Sequence, residues 1–179
     1  MTTRTRARPI RLLWTILLGT AMALTATPAL AATPSPGAQG VQAQIDQYLA
    51  KAPGGKQINA NEISYDGGVF VVTFAAFGTS PTGADCPSGW FCFYDRTNYG
   101  YPRGKLSSCG WQDLAWWGWN DMTESVHYNM SSGSVSFINH GRYADHSDDT
   151  VLFTVSTTSR YLSDVSPYRN VADHVYRSC

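Results

Sequence analysis

The densest group of potential metal ligands lies in one Gly- and Asp-rich segment that contains His140, Asp145, His146, Asp148 and Asp149. Imidazole nitrogens and carboxylate oxygens bind zinc, and a bound zinc ion activates water for hydrolysis. The spacing of the two histidines, six residues, matches no zinc signature. Connections rich in glycine and aspartate are typical of exposed loops. We therefore expect an exposed loop here and assign no metal ligand within it.

Serine, histidine and aspartate are plentiful, but their order in the chain does not predict a catalytic site. The sequence contains no Gly-x-Ser-x-Gly segment, the pattern of a nucleophile elbow. Asp148 and Asp149 are adjacent, and adjacent residues of a strand point to opposite faces, which prevents a general acid–base partnership. The sequence therefore predicts a protein without enzymatic activity and without catalytic residues.

Trp111, Trp116, Trp117 and Trp119 form a dense aromatic group. Exposed indole rings bind sugars or partner surfaces in many secreted modules. In a small sandwich with few leucines and isoleucines, however, large aromatic side chains must supply much of the buried area. We expect the group to lie mostly in the core, with one of Trp116 and Trp117 pointing outward.

The amino terminus predicts that the chain is exported. Its basic residues are Arg4, Arg6, Arg8 and Arg11, followed by an apolar run over residues 12 to about 24 and the small-residue triplet Ala29-Leu30-Ala31. This is the pattern of a signal peptide, here residues 1–31. The apolar run is shorter than the ~20 residues that a membrane-spanning helix needs. We expect a secreted, extracellular protein that has no membrane association after cleavage.

Removal of residues 1–31 takes away four of the 13 basic residues and none of the 13 acidic ones. Nine basic residues then stand against 13 acidic residues, which gives a formal charge of −4. A mildly acidic protein without a basic groove does not attract phosphate backbones. The charge therefore argues against nucleic acid as a partner.

Four cysteines, an even number in an exported chain, predict disulfide bonds rather than thiol chemistry. They are Cys86, Cys92, Cys109 and Cys179. Three connectivities are open. The turn-forming run Pro87-Ser88-Gly89 favours a bridge between Cys86 and Cys92, which leaves Cys109 to pair with Cys179.

The region before the cysteines is expected to form a leader and a small extension. Residues 32–40 are rich in Pro, Gly, Ala and Thr and are expected to be disordered. Apolar residues then recur at helical spacing from Val41 to Leu49, and the turn triplet Asp66-Gly67-Gly68 precedes a β-prone run. We therefore predict a helix plus β-hairpin extension over residues 41–77. We predict a linker over residues 78–85 and a second domain over residues 86–179.

Beyond the linker, short runs of aromatic and β-branched residues alternate with turn residues, as in an antiparallel sandwich or barrel. The runs cover residues 90–94, 125–128, 134–138, 151–155 and 174–176. The two halves also repeat at an offset of about 44 residues, since Tyr94 and Tyr99 match Ile138 and Tyr143. In the same alignment, residues 95–98 match residues 139–142, so that Asp95 is equivalent to Asn139. Two four-stranded Greek-key units would explain the repeat.

Several segments of the chain resemble an actinobacterial family of secreted peptidase inhibitors, typified by the streptomycete metalloproteinase inhibitor. They are Cys86-Pro87-Ser88-Gly89-Trp90-Phe91-Cys92-Phe93-Tyr94, Asn98-Tyr99-Gly100, Ser108-Cys109-Gly110-Trp111 and Asn120-Asp121. The resemblance covers residues 86–130 well and the second repeat loosely, and residues 41–75 are similar to the N-terminal extension of longer relatives. It implies a mainly β fold, a βγ-crystallin-like two-Greek-key sandwich, with a local Cys86–Cys92 bridge.

The resemblance also implies a function, the inhibition of an extracellular peptidase of the metallopeptidase class. Such an inhibitor presents a rigid surface loop that is preorganised for the protease cleft. The typical inhibitor holds its reactive loop between two close cysteines in its second half. No such pair occurs in the second half of this chain, so the inhibitory loop stays unassigned.

Crystallin-type units can bind calcium through a short motif, and Asn120-Asp121-Met122-Thr123-Glu124-Ser125 fits this motif except at Glu124. The second copy, residues 169–174, fits less well. Carboxylate oxygens are suitable calcium ligands. The tentative calcium ligands are Asp121, Met122, Glu124, Ser125 and Asp173. Acidic residues at the start of a strand are more often solvated or hold a turn, so we expect no required cofactor.

The sequence thus predicts a monomeric secreted inhibitor of an extracellular peptidase. The alternative is a non-inhibitory crystallin-like module that binds calcium or a surface ligand. A further hypothesis is that residues 41–77 are a pro-region removed on maturation, because a linker follows them.

Overall fold

Eleven β-strands and one α-helix form the regular structure of the computed structural model, which describes residues 35–79, 81–143 and 145–179. The elements are α1 (Pro36–Lys51), β1 (Lys56–Gln57), β2 (Glu62–Tyr65), β3 (Phe70–Thr73), β4 (Trp90–Arg96), β5 (Gly100–Leu106), β6 (Gly110–Asp113), β7 (Ser125–Asn129), β8 (Ser134–Asn139), β9 (Thr150–Ser156), β10 (Tyr161–Leu162) and β11 (His174–Ser178). The protein is mainly β, as the sequence predicts. The predicted signal peptide lies outside the described residues. No helix in the described ranges is long and apolar enough to span a membrane.

Helix α1 begins at Pro36, so the predicted disordered leader, residues 32–40, is wrong from that residue onward. The Ser35 side chain accepts a hydrogen bond from the N–H of Ala38 and caps the helix. Proline in the first turn favours a helix start because its fixed φ suits the helix and its missing N–H is not needed there. The same proline that suggested disorder therefore marks the helix start.

The strands form two antiparallel sheets. One has seven strands in the order β1-β2-β3-β5-β4-β7-β10, and the other has four in the order β6-β11-β8-β9. In the first sheet, β5, β4 and β7 of the first half are followed by β10 of the second half, which pairs with β7. In the second sheet, β9, β8 and β11 of the second half are followed by β6 of the first half, which pairs with β11. The two halves of the repeat therefore occupy equivalent positions, and each contributes one strand to the sheet of the other half.

The predicted extension, residues 41–77, is part of the same sheet and core as residues 86–179, so the predicted boundary at 78–85 does not separate two domains. Strand β3 pairs with β5 along its whole length. Its four residues are all buried, which requires neighbours on both faces. Ile45 and Tyr48 of α1 belong to the same core cluster as Phe93.

Aromatic rings fill the core. The centroid of Phe70 lies 4.8 Å from that of Trp117, and the centroid of Phe93 lies 5.2 Å from that of Trp119. Trp117 and Trp119 are buried, whereas Trp116 is 62% exposed. The prediction that one of Trp116 and Trp117 points outward is confirmed, and Trp117 and Trp119 lie in the core, whereas Trp111 is half-buried and lies outside it.

Both expected disulfide bonds are present, Cys86–Cys92 and Cys109–Cys179. The first spans the predicted tight turn before β4. The second joins positions 70 residues apart and links the end of β11 to the start of β6. Two disulfide bonds fit an oxidising, extracellular environment.

Candidate metal centre

Four potential metal-binding side chains from separate positions in the chain converge at one end of the four-stranded sheet. His140, His146 and Asp149 lie in the connection between β8 and β9, and His174 is the first residue of β11. One ligand atom from each side chain lies within 4.8 Å of the others. We call these four residues the histidine centre.

The strand pairing explains why the histidine centre forms. His174 pairs with Ile138 of β8, two residues before His140. Asn139 pairs with Thr150 of β9, the residue after Asp149. Because β8 lies between β9 and β11, both pairings bring their flanking side chains to the same end of the sheet.

The connection between β8 and β9 is held by its own aspartates. The Asp148 carboxylate accepts hydrogen bonds from the N–H groups of Arg142 and Tyr143, at 2.8 and 3.1 Å. His146 adopts the left-handed conformation with φ of 61°, and its N–H donates to the carbonyl of Tyr143. This turn returns the chain so that the His146 ring faces Asp149.

The closest distances within the histidine centre match those around a tetrahedral ion. Asp149 Oδ2 lies 3.0 Å from His146 Nδ1, Asp149 Oδ1 lies 3.3 Å from His140 Nδ1, and His174 Nε2 lies 3.2 Å from His140 Nδ1. Two ligand atoms on a tetrahedral zinc ion are ~3.3 Å apart, given zinc–ligand distances of about 2.0–2.1 Å. The widest separation, 4.8 Å, exceeds this value, so a tetrahedral ion would require the side chains to move closer together.

The protonation of His174 and Asp149 suits metal binding. Burial lowers the pKa of His174 and outweighs the opposing effect of Asp113, Asp149 and Asp173, so the imidazole is neutral, the form that binds metals. Burial alone would raise the pKa of Asp149, but hydrogen bonds from the Gly141 N–H and the His146 ring bring it below its usual value. Asp149 is therefore a carboxylate.

The surroundings of the histidine centre orient its rings. Nδ1 of the buried His174 has no hydrogen-bond partner among the described residues, and Asp113 Oδ1 lies 3.6 Å away. A proton on Nδ1 directed at Asp113 leaves the Nε2 lone pair facing the other ligands, as in carboxylate–histidine–metal triads. The Trp111 ring packs against His146 and His174, with centroid distances of 4.6 and 5.0 Å.

The tentative calcium ligands have other partners. Glu124 accepts from the Thr97 N–H and from the Asn170 amide. Ser125 accepts from the Tyr99 N–H and donates to the Arg96 carbonyl. Asp173 accepts from the His140 N–H, which places it beside the histidine centre. Calcium binding stays a prediction.

The sequence singled out His140, His146 and Asp149 as potential ligands, but we assigned no metal to them and did not consider His174. The expectation that the segment is an exposed loop holds for His140 and His146, which are exposed. Nothing in local spacing indicates that β11 lies beside β8, more than 30 residues away. No protein-family model, curated protein or solved structure matches the chain, and the resemblance to the inhibitor family stays a prediction.

Proposed function

We propose that this protein is exported and binds one first-row transition metal ion, zinc as the reference ion, at the histidine centre. The observation that supports the proposal is the convergence of three imidazole rings and one carboxylate. The ring centroids lie 5.1 to 5.5 Å apart, and their planes are inclined by 69 to 89°. Steeply inclined rings around one point are not stacked on one another, and this arrangement suits binding to one shared ion.

The hydrogen-bonding capacity of the centre favours the same conclusion. The His174 Nε2 and His140 Nδ1 atoms face each other at 3.2 Å, and two neutral imidazoles share at most one proton between such atoms. In the described ranges no lysine or arginine pairs with Asp149, whose ion pairs are with His140 and His146. A metal ion satisfies all four groups together.

The donor set selects the class of metal. Imidazole suits zinc, copper, nickel and iron, whereas calcium and magnesium prefer sites built from oxygen. Three nitrogen donors and one oxygen donor therefore separate this proposal from the calcium binding that the sequence suggested at Asp121, Met122, Glu124, Ser125 and Asp173.

The proposal is tested by titrating zinc into the oxidised protein without residues 1–31, with calorimetry to give stoichiometry and affinity. We expect one zinc ion per chain. His174→Asn weakens binding by more than about a hundredfold, because the variant lacks a ligand. His127→Asn is the matched control, since His127 is also buried in a strand but lies outside the centre.

Two results would contradict metal binding at this centre. One is the absence of stoichiometric binding by the wild-type protein. The other is equal loss of affinity in the His174 and His127 variants, which would indicate a general effect on folding.

Inhibition of an extracellular peptidase is a second proposal. It is supported by the resemblance of residues 86–130 and by the Cys86–Cys92 bridge, which that resemblance implies and the structure contains. Titration against a thermolysin-type metallopeptidase tests it, with hydrolysis of a small peptide as the signal. Stoichiometric loss of activity supports inhibition, and unchanged activity contradicts it.

A further inference from the structure

The histidine centre forms one wall of a cavity of about 520 Å³. The cavity is lined by Asp113, Ala115, Asn120, His140, His146, Asp173 and His174. Three of the four proposed ligands therefore face the cavity, whereas Asp149 does not line it. The volume lies within the range of about 300–1,000 Å³ that is typical of small-molecule sites.

The exposure of the rings keeps the centre accessible from this side. The side chains of His140 and His146 are each 40% exposed, whereas that of Asp149 is 6% exposed. A zinc ion with four ligands can expand to five-coordinate, and the exposed side of these rings leaves room for a fifth ligand. Because Asp149 lies on the side away from the cavity, an ion bound to it is accessible from the cavity side.

The charge around the cavity is negative even when an ion is bound. Asp113 and Asp173 line the cavity, and Asp149 belongs to the centre. Three carboxylates and one divalent ion leave a net charge of −1. No lysine or arginine is among the described residues that line the cavity. The site therefore repels anions and attracts cations.

We infer that the metal centre takes an exogenous ligand from this cavity, a small cationic amine that also carries a neutral nitrogen or oxygen donor. The neutral donor is the fifth ligand of the ion. The ammonium group lies against Asp113 and Asp173 and cancels the remaining charge. This inference rests on the proposed metal binding.

The test uses the protein loaded with cobalt(II), whose visible spectrum reports changes in coordination. Three probes carry the same N1-substituted imidazole donor with different tails: 1-(3-aminopropyl)imidazole, 1-propylimidazole and 3-(imidazol-1-yl)propanoate. We expect the ammonium probe to bind about tenfold more tightly than the neutral probe, which corresponds to ~1.4 kcal/mol. The carboxylate probe binds most weakly.

Asp173→Asn identifies the charge responsible, because asparagine keeps an acceptor for the His140 N–H but removes the negative charge. We expect this variant to lose most of the preference for the ammonium probe and to retain the response to 1-propylimidazole. Asp46→Asn is the matched control, since Asp46 is exposed on α1 and does not line the cavity.

The possible failures are distinguishable. A cobalt spectrum that no probe changes would show a closed site, and it would overturn the inference while leaving metal binding intact. Equal affinities, or tighter binding of the carboxylate probe, would overturn the charge argument. Absence of a cobalt spectrum would overturn both the inference and the metal centre.

Discussion

The two halves of the repeat differ in the connection between their first two strands, which are β4 and β5 in the first half and β8 and β9 in the second half. In the first half, β4 and β5 are joined by the three residues Thr97–Tyr99. The Glu124 carboxylate accepts from the Thr97 N–H at 3.1 Å, and Ser125, the first residue of β7, accepts from the Tyr99 N–H at 3.0 Å. This connection is short, and its N–H groups donate to acceptors in neighbouring segments of the chain.

In the second half, β8 and β9 are joined by ten residues, 140–149. Asp173 accepts from the His140 N–H at 2.8 Å, the counterpart of the bond between Glu124 and Thr97. The first residue of β11, however, is His174, where the first half has Ser125. The scaffold therefore keeps the carboxylate that holds the connection, and the longer loop and His174 supply the side chains of the histidine centre.

The largest expected effect comes from replacing residues 140–149 with Thr-Asn-Tyr, the first-half connection. Three of the four proposed ligands are then absent, so we expect complete loss of zinc binding by calorimetry. Because β8 and β9 keep their pairing, the melting temperature should stay close to that of the metal-free wild type. Retained stoichiometric binding would place the metal elsewhere.

Zinc should stabilise the protein through the histidine centre. A free zinc concentration of 100 times the dissociation constant adds ~2.7 kcal/mol to the free energy of unfolding when only the folded state binds. We expect a rise in melting temperature that EDTA reverses and that His146→Ala reduces. Ile58→Ala, an exposed substitution in the first part of the chain, should leave the rise unchanged.

Ser125→Ala should destabilise the first-half connection without affecting the metal. The buried hydroxyl makes two hydrogen bonds, with the Tyr99 N–H and the Arg96 carbonyl, and each such bond contributes about 1 kcal/mol. We expect denaturant unfolding to show a loss of ~2 kcal/mol, with unchanged zinc affinity. Ser136→Ala, at an exposed hydroxyl pair, is the control with a smaller loss.

Asp95→Asn should stabilise the protein at neutral pH. Burial raises the pKa of Asp95 to about 6, with an additional contribution from Glu124, although Arg96 and Lys51 oppose it. The folded state therefore holds a proton that the unfolded state releases near pH 4, so wild-type stability falls as the pH rises from about 4 through about 6. Since Asp95 is partly exposed, we expect a gain of only ~1 kcal/mol at pH 7.5.

Asparagine is already the residue at the equivalent position of the second half, Asn139. The control for the effect of Asp95→Asn is a comparison of the free energy of unfolding at two pH values. Denaturant unfolding at pH 4 should give similar stabilities for the wild type and the variant. A difference that is the same at both pH values would show that the charge of Asp95 is not its cause.

The smallest effect is expected from calcium. Because the Glu124 and Ser125 oxygens already accept hydrogen bonds from the first-half connection, we expect millimolar calcium to leave the melting temperature unchanged. Glu124→Gln retains an acceptor for the Thr97 N–H and should behave in the same way. A calcium-dependent rise that this variant abolishes would support the calcium site suggested by the sequence.

Strands formed by continuous runs of β-branched and aromatic residues were predictable from the sequence, whereas strands in which such residues are isolated were not. The runs at 90–94, 125–128, 134–138, 151–155 and 174–176 all lie in strands. Strand β5, by contrast, contains two glycines and a proline, which disfavour a strand. Gly104 is needed there because a Cβ atom would lie 2.5 Å from the Phe93 ring.

The histidine centre was predictable only in part, for a similar physical reason. The loop ligands share a short segment, which local spacing reveals. His174 joins them through the pairing of β11 with β8, and such long-range pairing leaves no signal in the spacing of residues. The repeat offered one clue, since it aligns the start of β11 with the start of β7, which lies beside the first-half connection.

The position of β11 also constrains the order in which the protein folds. Strand β6 joins the four-stranded sheet only through β11, which follows it by about 60 residues. A chain that crosses a membrane from its amino terminus delivers β6 to the outside well before β11. The four-stranded sheet is therefore complete only once nearly the whole chain is available, because β6 has no other partner strand in it. Such late, long-range closure is slow, so we expect the pairing of β6 with β11 to be among the last steps of folding.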